Sequence, residues 1–75
     1  MRFPKRERAV AAAVKSMRTD AGLKQIQLSR LLRRSPNYVS KIERLEKTNV
    51  SLGELEAIAK ACGTAPAEII RRAMR

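Results

Sequence analysis

Apolar residues recur along the chain with the three- and four-residue spacing of helices, and no stretch shows the strict alternation of a strand. Val10, Val14 and Met17 follow this spacing between basic residues, and Gly22 stands where a helix would end. The pattern predicts five helices, at about 5–21, 25–32, 36–44, 52–62 and 66–74. We therefore expect an all-α fold, a compact domain of five helices.

Local signals mark where the last three helices begin. Ser35 can cap the third helix, with Pro36 in its first position, where the fixed φ of proline suits a helix. Ser51 and Glu54 have the spacing of a capping box, which predicts the start of the fourth helix. Pro66 marks the start of the fifth.

Positive charge is concentrated in the first two thirds of the chain. The 75 residues contain 17 Lys and Arg against 7 Asp and Glu, a formal net charge of +10. Residues 1–47 hold thirteen of these bases and four of the acids, whereas residues 48–75 are almost neutral. Because so short a chain fills only one hydrophobic core, we expect a single domain over 1–75. A folded domain with one strongly basic part is typical of nucleic-acid-binding proteins.

The cysteine and histidine counts exclude most catalytic and metal chemistry. Cys62 is the single cysteine and there is no histidine, so we expect no internal disulfide and no metal site. The chain also lacks the commonest general base and a glycine-rich phosphate loop. We therefore expect no enzyme activity, no cofactor and no small-molecule ligand. The absence of a long apolar run and of a signal segment favours a cytoplasmic protein that has no membrane contact.

The second and third predicted helices have the proportions of a helix-turn-helix. Both are short, and the third has a narrow apolar seam of Val39 and Ile42, so most of its surface faces outward. The major groove of B-DNA admits one helix, which needs polar side chains near its N-terminus. Asn37, Ser40 and Lys41 meet that requirement.

Three motifs connect this segment with a known family. A Leu-x-Gln-x-x-Leu motif begins at Leu23, a Ser-x-x-Tyr-Val-Ser-x-Ile-Glu-Arg motif begins at Ser35, and the run Ile-Ala-Lys-Ala-Cys-Gly begins at Ile58. Together they resemble the lambda repressor and Cro type (XRE-like) of helix-turn-helix protein, from about Val14 to Ile70. The resemblance implies a fold like that of the lambda repressor and binding to double-stranded DNA.

The resemblance also implies roles for individual residues. The residue that opens the second helix contacts a DNA phosphate in this family, which implies that role for Gln25. The early exposed face of the third helix reads bases, and here that face consists of Asn37, Tyr38, Ser40 and Lys41. We expect further phosphate contacts from residues on either side of the third helix: Arg34, Lys47, Thr48 and Asn49. For Tyr38 an alternative stays open, in which its ring packs on Arg34 or Lys41.

One acid lies close to the predicted DNA-binding face. Unpaired, the carboxylate of Glu43 would weaken phosphate binding, and the resemblance implies that Arg18 pairs with it and ties helix one to helix three. We therefore treat both residues as structural and expect the pair to be largely buried.

Four positions depart from the pattern that the family usually has. Lys24 stands where a capping Ser or Thr is common, and Ser29 stands where Ala is usual. Arg33, in the turn, and Leu45, after the third helix, stand where Gly is common. A left-handed conformation at Arg33 costs about 1 kcal/mol.

These observations predict a sequence-specific transcriptional regulator that acts as a homodimer on a palindrome or a direct half-site pair. We expect no separate sensor domain. The almost neutral fourth and fifth helices supply the predicted dimer interface: Leu52, Leu55, Ile69, Ile70 and Met74.

The segments 37–44 and 49–52 look like controller proteins of restriction-modification systems, bacterial or phage-encoded. Alternatives are a phage Cro-like repressor and an antitoxin or adaptor that binds another protein. RNA binding is disfavoured because the chain has only two aromatic residues, too few for platforms on which bases stack.

Overall fold

The computed structural model describes residues 3–74, with side chains from Arg6 onward, and over this range the chain forms five helices and no strand. The helices are α1 (Phe3–Asp20), α2 (Gln25–Leu31), α3 (Tyr38–Glu43), α4 (Leu52–Ala61) and α5 (Ala67–Ala73). The prediction of an all-α, five-helix domain is confirmed. Of the predicted domain 1–75, positions 1, 2 and 75 lie outside the described residues.

The longest helix, α1, supports the rest of the fold. It packs against α5 and α3, while α2 packs against α3 and α4, and α4 packs against α5. One core joins all five helices, and its largest fully buried apolar side chains are Leu28, Ile42, Ile58, Ile69, Val14 and Val39.

Gly22 ends α1 as its position predicts. Its φ is +75°, in the left-handed region that glycine adopts without a Cβ clash. The backbone N–H of Leu23 then donates to the carbonyl of Arg18 at 3.1 Å, which satisfies a carbonyl at the helix end.

The predicted start of the third helix was wrong by two residues. Residues 36 and 37 form a turn, in which the N–H of Tyr38 donates to the carbonyl of Ser35 at 3.0 Å, and the helix begins at Tyr38. Pro36 therefore fixes a turn and not the first helical position. At its other end α3 stops at Glu43, one residue before the predicted end.

Reciprocal capping starts α4 at the predicted place. The N–H of Glu54 donates to Oγ of Ser51 at 3.1 Å, and the N–H of Ser51 donates to Oε1 of Glu54 at 2.8 Å. A side chain of α5, Arg72, connects this helix to α1. Its guanidinium donates to Oγ of Ser16 and Oδ2 of Asp20, each at 2.8 Å.

Over the part of the chain that the structure describes, no helix combines the length and the apolar composition that crossing a bilayer requires.

Candidate nucleic-acid interface

The third helix has a buried side and an exposed side. Val39 and Ile42 lie fully in the core, whereas Asn37 and Lys41 are exposed and Ser40 is half-buried. The Asn37 side chain makes no capping bond to α3, although it stands at the N-cap position. Its amide and the ammonium of Lys41 are therefore free to contact other molecules.

Tyr38 is not on the exposed side, which corrects the prediction that it reads bases. Its side chain is 7% exposed, and its hydroxyl donates to Oε2 of Glu54 at 2.7 Å. The guanidinium carbon of Arg34 lies 4.9 Å from the centre of its ring, so the alternative packing on Arg34 is the one observed. Burial, followed by the hydrogen bond to Glu54, raises the pKa of the Tyr38 hydroxyl to about 12.

A buried serine joins the two helices of the helix-turn-helix. Oγ of Ser29 donates to the carbonyl of Gln25 at 2.9 Å and accepts the N–H of Val39 at 3.1 Å. That N–H is one of those at the start of α3 that have no partner within the helix. Ser29 therefore caps α3 from the neighbouring helix. The sequence marked Ser29 only as a departure from the usual Ala and gave no signal of this role.

Two carboxylates contact several residues of the helix-turn-helix, and the first is Glu43, the last residue of α3. Arg18 donates from Nε to its Oε2 at 2.7 Å and from Nη2 to its Oε1 at 3.1 Å, and Nη1 of Arg18 donates to the carbonyl of Leu23 at 2.9 Å. The side chains of Arg18 and Glu43 are 11% and 5% exposed. Nε2 of Gln25 donates to Oε1 of Glu43 at 2.8 Å. We call Arg18, Gln25 and Glu43 the Glu43 cluster.

The second carboxylate, Glu54, contacts residues from the turn, from α3 and from the following loop. Beyond its bonds to Ser51 and Tyr38, its Oε2 lies 3.5 Å from Nζ of Lys47 and 3.9 Å from Nη2 of Arg34. The N–H of Ser51 and then the hydroxyl of Tyr38 lower the pKa of Glu54 to about 2. The sequence predicted its capping role and none of the other contacts. We call Arg34, Tyr38, Lys47, Ser51 and Glu54 the Glu54 cluster.

The loop after α3 holds the three other predicted phosphate contacts. Leu45 has a φ of +65°, and the N–H groups of Glu46 and Lys47 both donate to the carbonyl of Lys41, at 2.8 and 3.1 Å. Nζ of Lys47 donates to Oδ1 of Asn49 at 3.3 Å, and Thr48 and Asn49 are exposed. The backbone of Lys47 therefore lies beside the last turn of α3.

The structure thus brings most of the predicted DNA-contacting residues around α3. Arg34 precedes the helix, Asn37 and Lys41 lie on it, and Lys47 follows it. Gln25 lies at the start of α2, where the Glu43 cluster connects it to the end of α3.

The predicted dimer interface is divided between surface and core. Leu52, Ile70 and Met74 are largely exposed, Leu55 is half-buried, and Ile69 is 2% exposed. The assignment of Ile69 to an interface is therefore corrected, because its side chain fills the core of the monomer. Within α5 the apolar residues Ile69 and Ile70 point in different directions, and the composition of a seven-residue helix does not decide which one is buried.

Solved structures similar to this chain include a transcription regulator and a hypothetical transcription factor. The clp gene regulator ClgR from Corynebacterium glutamicum is 33% identical, with a TM-score of 0.83, and the match covers 92% of this chain and 88% or 72% of the ClgR chain in two crystal structures. A hypothetical transcription factor, NHTF from Neisseria, is 28% identical with a TM-score of 0.77, covering 84% of this chain and 71% of that one. No curated protein sequence matches significantly.

The family described as "Helix-turn-helix domain" matches residues 9–71, which include all of α2 to α4 and most of α1 and α5. The resemblance to helix-turn-helix proteins of the lambda repressor and Cro type is confirmed by this match and by the structural similarities. They place the chain among transcription factors and not among enzymes. The chain belongs to the helix-turn-helix family of DNA-binding transcription regulators.

Proposed function

We propose that this protein binds a specific double-stranded DNA operator as a homodimer and reads its bases with α3. The observation that carries the proposal is the exposed side of this helix, where the side chains of Asn37 and Lys41 have no hydrogen-bond or ion-pair partner among the described residues. An Asn amide pairs with adenine and a Lys ammonium pairs with guanine in the major groove. Ser40 adds a hydroxyl, which donates to the carbonyl of Asn37 at 3.1 Å and keeps its lone pairs for a base edge.

Residues around this helix are proposed to contact phosphates. Arg34 and Lys47 stand before and after α3 and supply positive charge, while Thr48 and Asn49 supply exposed polar groups on the loop. Gln25 has one N–H directed to Glu43 and keeps a second N–H for a phosphate oxygen. Such contacts fix the register of the protein on the duplex and carry no sequence information.

The division into base and phosphate contacts can be tested by binding to two duplexes. We would select a cognate duplex from a random pool and compare it with a scrambled one at several salt concentrations. Asn37→Ala and Lys41→Ala should each lose about 1–3 kcal/mol on the cognate duplex and little on the scrambled one. Lys47→Ala should weaken both and reduce the salt slope by about one per contact, or about two in a dimer.

Two control variants sharpen this test. Gln25→Ala should weaken both duplexes without a change of salt slope, because a neutral amide releases no counterion. Lys60→Ala removes an exposed lysine near the end of α4, outside the proposed DNA interface, and should change the binding of neither duplex strongly. If Asn37→Ala leaves the cognate-to-scrambled ratio unchanged, α3 does not read bases through this face.

The proposed homodimer uses the exposed apolar residues of α4 and α5, namely Leu52, Ile70 and Met74. The basic half of the chain would repel its own copy, whereas this half is almost neutral. Ile70→Asp should leave a monomer in analytical ultracentrifugation at tens of micromolar. Leu31→Asp is the matched control, since Leu31 on α2 is as exposed as Ile70, 59% against 58%, and lies outside the interface. A wild-type protein that stays monomeric with and without DNA contradicts the dimer.

Two similarities point to different candidate genes for its control. The segments 37–44 and 49–52 support a controller protein of a restriction-modification system, which acts on DNA in the cytoplasm. The similarity to ClgR, which is named a regulator of clp genes, supports instead the regulation of genes outside restriction-modification systems, such as clp genes. Mapping the DNA that the protein occupies in cells separates them, because a controller protein binds upstream of restriction-modification genes.

A further inference from the structure

One carboxylate stands inside the proposed DNA interface and faces two of its cations. Oε2 of Glu54 lies 3.5 Å from Nζ of Lys47 and 3.9 Å from Nη2 of Arg34. Both cations are proposed phosphate contacts. A negative charge at this place weakens the attraction between the protein and any duplex, specific or not.

The carboxylate is fixed, whereas the cations are the more exposed partners. Oε1 of Glu54 accepts the N–H of Ser51, and Oε2 accepts the hydroxyl of Tyr38, so two further elements hold the side chain. Its exposed fraction is 13%, against 51% for Arg34 and 27% for Lys47. Glu54 therefore helps to hold the two cations when no DNA is bound, together with the Tyr38 ring for Arg34 and Asn49 for Lys47.

We propose that Glu54 is a specificity-determining residue of the DNA interface, which holds Arg34 and Lys47 on the two sides of α3 and lowers non-specific binding more than specific binding. This inference rests on the proposed function. A cation held by Glu54 reaches fewer phosphates of a duplex that is bound in an arbitrary register. In the specific register the phosphates lie at fixed places beside α3, and the several N–H donors of each cation allow it to contact a phosphate while it stays near Glu54.

The test compares Glu54→Gln with wild type on the selected and the scrambled duplex. The variant should bind the scrambled duplex about fivefold more tightly at low salt, because two ion pairs of surface strength no longer compete with phosphate. Binding to the selected duplex should change less than about twofold. The salt slope on the scrambled duplex should become steeper, because Arg34 and Lys47, once released from Glu54, contact phosphates more often and displace more counterions.

A matched control removes the same charge from the same helix. Glu56 lies two residues after Glu54 on α4. It is exposed, and its side chain has no hydrogen bond or ion pair among the described residues. Glu56→Gln should affect both duplexes slightly and equally, so the cognate-to-scrambled ratio should stay that of wild type. Equal ratios for Glu54→Gln and Glu56→Gln would overturn the inference and leave the proposed function intact. A wild-type protein that does not distinguish the duplexes overturns both.

A purely structural role of Glu54 does not imitate the expected result. Partial unfolding lowers the active fraction on both duplexes alike, so the ratio does not move. Where Glu54→Gln fails to fold by circular dichroism, Glu54→Asp decides, because it keeps the charge and withdraws it from both cations by one methylene group. A ratio lowered at least twofold in folded Glu54→Asp then supports the inference, and an unchanged ratio overturns it.

Discussion

The helix-turn-helix and the pair formed by α1 and α5 are held together in different ways. In the helix-turn-helix, α2 and α3 have seven and six residues, and polar contacts fix both of them: the Glu43 cluster, the Glu54 cluster and Ser29. The 18-residue α1 instead packs along α5 through apolar side chains, with Arg72 as the main polar connection. Short helices are marginal by themselves and depend on tertiary contacts, which for α2 and α3 include these polar ones.

The difference has a consequence for DNA binding. Apolar packing is non-directional, whereas hydrogen bonds and ion pairs specify distances and angles. A helix that reads base edges has to be positioned to within a fraction of an ångström. The polar contacts are concentrated around α3, where orientation decides function.

The largest expected effect comes from the Glu43 cluster. Arg18→Ala leaves the carboxylate of Glu43 buried without its cation, which should lower the free energy of unfolding by about 3–5 kcal/mol in chemical denaturation. The double variant Arg18→Met, Glu43→Leu should lose less, because no charge is left buried. Arg44→Ala is the control: Arg44 and Glu46 form an exposed pair at 3.2 Å, and its loss should cost below about 0.5 kcal/mol. Equal losses for Arg18→Ala and Arg44→Ala would contradict the prediction.

Ser29 gives the next largest effect. Ser29→Ala restores the residue that the family usually has, yet it removes the acceptor of the buried Val39 N–H, so the expected loss is about 1–3 kcal/mol. Hydrogen exchange at the amide of Val39 should also become faster. Ser40→Ala is the control, because the Ser40 hydroxyl makes an exposed bond to the carbonyl of Asn37 and should cost little. A stability equal to wild type would mean that the N–H of Val39 finds another acceptor.

A smaller effect is expected from the pH dependence of the Glu54 cluster. The pKa of Glu54 is lowered to about 2, so the stabilisation by its carboxylate is complete above the ordinary glutamate pKa of 4.5 and is lost as the pH falls from there towards 2. Solvent near the carboxylate screens it, and we expect the loss to be about 1 kcal/mol. Melting temperatures between pH 6 and pH 2 should fall more steeply for wild type than for Glu54→Gln. Parallel curves would show that Glu54 does not cause the slope.

The sequence predicted those features that depend on local signals. The end of α1 is marked by Gly22, and the start of α4 is marked by the reciprocal pair of Ser51 and Glu54. These signals depend only on neighbouring residues, and the helix ends that they mark agree with the structure to within a residue. The same holds for the five-helix fold, since the apolar spacing reflects one shared core.

Features that depend on distant partners were not predictable. The contact between Ser29 and Val39 joins residues ten apart, and Tyr38 reaches Glu54 sixteen residues away. In a six-residue helix the apolar spacing leaves the orientation of Tyr38 undecided, so base reading and packing of its ring on Arg34 or Lys41 both stayed open. The pairing of Arg18 with Glu43 came from the resemblance to a family, because no periodicity relates positions 25 residues apart.

The smallest expected effect concerns backbone strain at the ends of α2 and α3. Arg33 has a φ of +57° and Leu45 a φ of +65°, and each closes its helix as glycine commonly does. Arg33→Gly relieves the Cβ clash, offset in part by the greater entropy of glycine in the unfolded chain, and should stabilise the protein by about 0.5–1 kcal/mol. The side chain of Arg33 is exposed and has no hydrogen bond or ion pair among the described residues, so the folded state loses no polar contact.

Leu45→Gly relieves the same strain, but the side chain of Leu45, which is 37% exposed, lines a cleft with Val10 and Leu55, and these contacts would be lost. The two glycine variants should therefore shift the melting temperature in opposite directions, up for Arg33→Gly and down for Leu45→Gly. If both raise it, the side chain of Leu45 contributes less than its backbone costs, and packing in the loop after α3 is weaker than the contacts of this cleft indicate. If both lower it, the left-handed conformation is not a source of strain at either helix end, and the entropy of glycine in the unfolded chain dominates.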